Sequence, residues 1–203
     1  LLNLSSRPRA QAGHQNQPLR YIGIDFSVAA LHAAQDATSD ALKHVDRLFS
    51  GRISGPTPVS QQWVRGRSVE TLPFADHSFD RIVVNLSLSF SRSPLHALRE
   101  LFRVLRPGGK LIVSVITPLA DMALPYRSSL QELGVDAFSG DARLALNRMA
   151  QCCVALRVGQ LHAFQEESLG AALAQVTSTP ARLVRTFSGQ ILVALAEKPD
   201  SAG

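Results

Sequence analysis

The chain has 203 residues, 45% of them hydrophobic, a length and content suited to one soluble domain with a sizeable core. No apolar run approaches the roughly 20 residues that a membrane helix needs. The formal net charge is +5, and of 21 basic residues only Lys43, Lys110 and Lys198 are lysines. Such an arginine excess has two readings: the codon usage of a GC-rich genome, or a partner with acidic or phosphate surface that bidentate guanidinium groups would grip. Cys152 and Cys153 are adjacent, without disulfide or metal-ligand spacing, and are expected to be small apolar helix residues in a reducing compartment. The chain opens on Leu1 within the apolar stretch Leu1-Leu2-Asn3-Leu4, so it is expected to begin inside a longer protein.

Taken in order, Tyr21 to Asp25 predicts a short buried strand ending in a carboxylate. Ser27 predicts the cap of a helix starting at Val28 and carrying Ala30, Leu31, Ala34 and Leu42. Residues 51–58 are a Gly/Pro/Ser loop, and Gln62 to Gly66 suggests another strand. Arg81 to Leu88, rich in β-branched and apolar residues, predicts a central strand. Pro94 opens a helix with Leu95, Leu98, Leu101, Phe102 and Leu105 on one face and Arg99, Glu100 and Arg103 on the other. Pro107-Gly108-Gly109 is expected to stop it, and Lys110 to Thr117 is the next strand. Residues 118–176 are mostly helical in pattern. Ala181 to Phe187, a Ser188-Gly189 turn and Gln190 to Ala196 predict an antiparallel hairpin. Strands alternating with helices predict βαβ units and a parallel sheet.

Three segments in order resemble the small-molecule class I S-adenosylmethionine-dependent methyltransferases, the group that includes the ubiquinone/menaquinone enzymes. They are Tyr21 to Ser27 (YIGIDFS), Leu72 to Asp80 (LPFADHSFD) and Glu100 to Lys110 (ELFRVLRPGGK). The resemblance implies an α/β, Rossmann-like fold with a mostly parallel seven-stranded sheet and a C-terminal antiparallel hairpin. It implies a single domain over 1–203: core motifs in 1–118, a helical lid-like segment in 119–176 and the hairpin in 177–203. It assigns Asp25 to the cofactor ribose, where a charge-assisted bond contributes roughly 1.5–3 kcal/mol; the plainer role for Asp25 is a cap on the following helix.

The family's first motif, an acid followed by a Gly-x-Gly-x-Gly loop, is present in length and altered in content. Asn3, 22 residues before Asp25, stands at the acid; Ser5, Arg7 and Arg9 stand at the glycines, with Pro8 among them. Glycines there would permit positive φ and close backbone approach to the cofactor's methionine end. Residues 11–18, which hold Gly13 and Pro18, have no apolar periodicity and suggest a loop where the family has a helix. Ser68, beside Arg67, stands where the family has an acid near the adenine. Arg7, Arg9, Arg65 and Arg67 are candidates for a basic replacement of the cradle. Asp76, His77 and Asp80 are expected to be structural, Phe74 and Phe79 core, and Ser87, Ser89 and Ser91 either pocket-facing or merely polar at a strand end. No catalytic residue and no metal site is assigned.

Three functions compete. The first is a methyltransferase-like module without bound cofactor, serving as a structural or assembly subunit of a larger complex, as degenerate family members do in mitochondrial ribosomes and respiratory complexes. The second is an active S-adenosylmethionine-dependent methyltransferase on a small molecule such as a quinone precursor. The third is contact with RNA phosphate through the basic face, without base reading. The compartments considered are the mitochondrial matrix and the cytoplasm.

Overall fold

The computed structural model describes residues 2–6, 19–49, 59–66, 68–133 and 140–200. Seven strands form one sheet: β1 (Leu2–Ser6), β2 (Leu19–Asp25), β3 (Val59–Arg65), β4 (Phe79–Asn85), β5 (Leu105–Ile116), β6 (Arg182–Thr186) and β7 (Ile191–Glu197). Their spatial order is β3-β2-β1-β4-β5-β7-β6. Helices α1 (Val28–Phe49), α2 (Pro94–Val104), α3 (Ala123–Leu133), α4 (Gly140–Arg157) and α5 (Glu166–Ala174) connect them.

The expectation of a mostly parallel sheet is corrected to a mixed one. Only the β2–β3 and β4–β5 pairings are parallel. The terminal strands β6 and β7 form the predicted antiparallel hairpin, with β7 antiparallel to β5. In addition β1 runs antiparallel to both neighbours, Leu2 pairing with Ile24 and Val84, and Ser5 with Tyr21 and Arg81. A parallel β1–β2 unit needs a crossover of a dozen or more residues, usually a helix, whereas antiparallel strands need only a loop. The connecting segment lacks helical patterning, which removes the crossover's usual means.

The core lies on one face of the sheet. Ile82, Val84, Leu111, Val113, Leu192 and Ala194 pack against Leu98 and Leu101 of α2 and Leu169 and Leu173 of α5. The helical periodicity of α2 thus reports burial correctly, and α5, in the segment expected to be lid-like, belongs to this main core. A second cluster joins Ile116, Ala120 and Met122 to Cys153 and Leu156 of α4. Both cysteines are free, as their adjacency implies, and burial pushes the Cys153 thiol up.

One predicted boundary moves. The α2 helix ends at Val104, Leu105 is already extended, and Pro107-Gly108-Gly109 lies inside β5. Proline disfavours helical geometry in the residue before it, so the chain leaves the helix early. Gly108, at φ +67°, donates its N–H to the Lys198 carbonyl, and Lys198 N–H returns a bond to the Gly109 carbonyl. The bend therefore fastens the chain's end to β5.

Candidate functional site

A cleft of about 660 Å³ opens at the carboxyl ends of β2, β3 and β4, where open α/β sheets bind ligands. Asp25, the last residue of β2, lines it half-buried. Its Oδ1 accepts the N–H of Ser27 at 2.8 Å, and the Ser27 hydroxyl in turn accepts the N–H of Ala30 at 3.2 Å. Ser27 is thus the helix cap, as predicted, and Asp25 shapes the turn into it.

Ser68 lines the opposite wall, its hydroxyl accepting the Glu70 N–H at 3.0 Å. Glu70 was not singled out from sequence. Its Oε1 accepts the Ser91 hydroxyl at 2.6 Å and the Ser93 N–H at 2.8 Å, tying the segment after β3 to the segment after β4. The Ser91 hydroxyl, with the Ser93 N–H, holds the Glu70 carboxyl below the usual carboxylate range. The signal available in the sequence was its place as the one acid between β3 and LPF. Of the serine series, Ser87 and Ser91 line the cleft. Ser89 is buried elsewhere, its hydroxyl without a hydrogen-bond partner among the described residues. Phe26 and Phe90, also unremarked in the sequence, stand 69% and 52% exposed on the cleft walls. Leu86, directly after β4, takes φ +57°, a conformation costly for a branched residue. Its N–H is held there by the Ser114 carbonyl at 3.0 Å and hydroxyl at 3.1 Å.

Beneath the cleft the two remaining motifs lock together. Glu100 accepts the Leu72 N–H at 2.8 Å and is bridged twice by Arg103, which also reaches Asp76 and the Leu72 carbonyl. Arg103 lowers the Glu100 carboxyl, and Asp76 is lowered by the same guanidinium. Arg106 spans Asp80 at 3.0 Å and the His77 carbonyl at 2.9 Å. Asp76, His77 and Asp80 therefore do structural work, and Phe74 meets Phe79 edge to face at 4.9 Å at the core. Among the described residues no cluster of His, Cys, Asp and Glu could hold a metal ion.

Of the first-motif candidates, β1 carries Asn3 and Ser5 in a direction that runs away from the cleft. In β1 the backbone of Asn3 pairs with Gly23 and Val83 in the carboxyl-terminal halves of β2 and β4, and Ser5 with Tyr21 and Arg81 in their amino-terminal halves. Ser5 thus sits at the end of the sheet opposite Asp25. Arg7, Arg9 and Arg67, and residues 11–18, lie outside the described residues; Arg65 is exposed at the end of β3.

This strand order, with a cleft at the carboxyl ends and an acid closing β2, defines a Rossmann-like α/β domain. Residues 7–113 match the methyltransferase domain family, and the chain belongs to it. It is 38% identical over 80 residues to the ubiquinone/menaquinone biosynthesis C-methyltransferase UbiE of Roseobacter denitrificans, covering 39% of this chain and 32% of that protein. It is 31% identical over 110 residues to the demethylmenaquinone methyltransferase of Renibacterium salmoninarum, covering 54% and 35%. The chain therefore spans about a third of these relatives' length. Among solved structures, the N-methyltransferase NodS from Bradyrhizobium japonicum, in complex with S-adenosyl-L-homocysteine, aligns with a TM-score of 0.51 at 14% identity. The alignment covers 88% of this chain and 66% of NodS, a likeness of fold.

The family implies S-adenosylmethionine, and the two halves of that molecule fare differently here. Asp25 has the chemistry to accept both ribose hydroxyls. The methionine end requires backbone from a loop following β1 at the cleft, and β1 leads away from the cleft. The described residues do not fit the whole cofactor, so no methyl-transfer step is derived.

Proposed function

We propose that this chain is a methyltransferase-family domain that does not hold the methyl donor by itself and serves as a structural or assembly subunit of a larger complex. The direction of β1 carries this reading. With β1 antiparallel, its carboxyl end lies beside Arg20 and Arg81, away from Asp25, and half of the cofactor cradle is lost. What the chain keeps is what holds the sheet: LPFADHSFD and ELFRVLRPGG are bound to each other through Glu100, Arg103 and Arg106. Selection for a rigid module would retain these contacts and release the glycine loop.

A second reading, an active methyltransferase on a small molecule such as a quinone precursor, draws on one observation. The 660 Å³ cleft is open and Asp25 lines it. Calorimetric titration with S-adenosylmethionine and S-adenosylhomocysteine separates the two. The scaffold role predicts no saturable heat up to about millimolar ligand; a dissociation constant near micromolar, weakened by Asp25→Ala, supports the enzyme.

A further inference from the structure

The two faces of the sheet are covered unequally. On the face described above, Ile82, Val84, Leu111, Val113 and Leu192 are fully buried. On the other, α1 lies over β2 and β3, where Thr38 hydrogen-bonds the Tyr21 side chain. At the carboxyl corner α4 buries Ile116 through Cys153 and Leu156. Between these covers the register sets Val83 beside Ile112 and Ile112 beside Leu195, with Val193 beside Val184 in the adjacent row. Ile112 is 36%, Leu195 37% and Val184 44% exposed. An apolar stripe thus crosses β4, β5, β7 and β6. Parallel strands normally have both faces covered. Four strands at about 4.8 Å spacing offer room for a helix about 10 Å across.

Charge selects among possible occupants. Arg81 and Lys110 pair in register along the amino-end border of the stripe, and exposed Arg182 pairs with Leu195 at its outer edge. Glu197, 3.8 Å from Lys110, is the acid in this rim, leaving it net basic. A second copy of the chain would set one basic rim against another. Residues 7–18 lack the apolar periodicity to cover the stripe. We propose that this face docks an amphipathic helix of a partner protein, its apolar side on Ile112, Leu195 and Val184 and its flanking acids on Arg81, Lys110 and Arg182. This deepens the scaffold reading by naming the surface and the partner's chemistry.

The probe is a labelled synthetic helix of roughly 18 residues with leucines at i, i+3, i+4 and i+7 and glutamate flanks, beside a twin with lysine flanks. Fluorescence anisotropy with the whole chain is expected to show saturable binding of the glutamate peptide, about tenfold or more tighter than the twin and weakened by salt. Ile112→Ser with Leu195→Ser should lose about tenfold. Arg182→Glu, at an exposed edge where the fold is not at stake, should narrow the preference between the peptides. Equal binding of the two peptides, no saturable binding of either, or indifference to these substitutions overturns the proposal. So does sedimentation showing a dimer that Ile112→Ser breaks, which would make the occupant a second copy. A failed peptide titration alongside a silent cofactor titration removes this surface and leaves the scaffold role; a bound peptide alongside micromolar cofactor does the reverse.

Discussion

Arg103 makes contacts to Glu100, Asp76 and the Leu72 carbonyl, and Glu100 holds the Leu72 N–H. Glu100→Ala leaves that N–H and the guanidinium short of partners, at a cost of about 1–3 kcal/mol, readable as a lower urea midpoint. The carboxyls of Glu100, Asp76 and Glu70 are all depressed in the fold. Their folded values lie below the unfolded ones, so their stabilisation is present above the ordinary carboxylate value near pH 4.3 and is lost as pH falls through the depressed values. Thermal melts should therefore show a falling midpoint below about pH 4, with a shallower fall in Glu100→Gln. Gly23 belongs at the same scale. A Cβ there would stand 2.3 Å from the Trp63 ring, which lies across β2 and meets Tyr21 at 5.5 Å. Gly23→Ala should cost about 1–3 kcal/mol through overpacking, measured by the same unfolding curve. At this scale the sequence disclosed the motif residues because they interlock. Glu70, Phe26 and Phe90 escaped it because their place on the cleft walls depends on loops whose approach no local pattern encodes.

The elements were legible where periodicity or turn chemistry is strong: α2 by its apolar face, the hairpin by Ser188-Gly189, α1 by the Ser27 cap. The Pro107-Gly108-Gly109 turn was visible as a break, yet its membership of β5 was not, because the contacts that hold it come from the chain's other end. Lys198 is that contact. Its ammonium donates to the carbonyls of Phe102 and Leu105 at the carboxyl end of α2, and burial pushes its pKa down. Lys198→Met should lose about 0.5–1 kcal/mol and release α2's last turn, seen as faster amide exchange there. The direction of β1 could not be read in advance, since a strand's alternation has the same period either way. What the sequence did disclose was a following segment, residues 11–18, without apolar periodicity.

For the whole molecule, the sheet is mixed where the resemblance implies a mostly parallel one, and the scaffold role rests on that difference. A cofactor cradle assembled from the ends of β1, β2 and β4 requires all three to point the same way; here β2 and β4 do and β1 does not. Inter-strand backbone nuclear Overhauser contacts in the labelled protein read the direction outright. Leu2 is expected beside Val84 and Ser5 beside Arg81. Contacts placing Ser5 beside Val84 instead would return the first motif to the cleft and contradict the scaffold role.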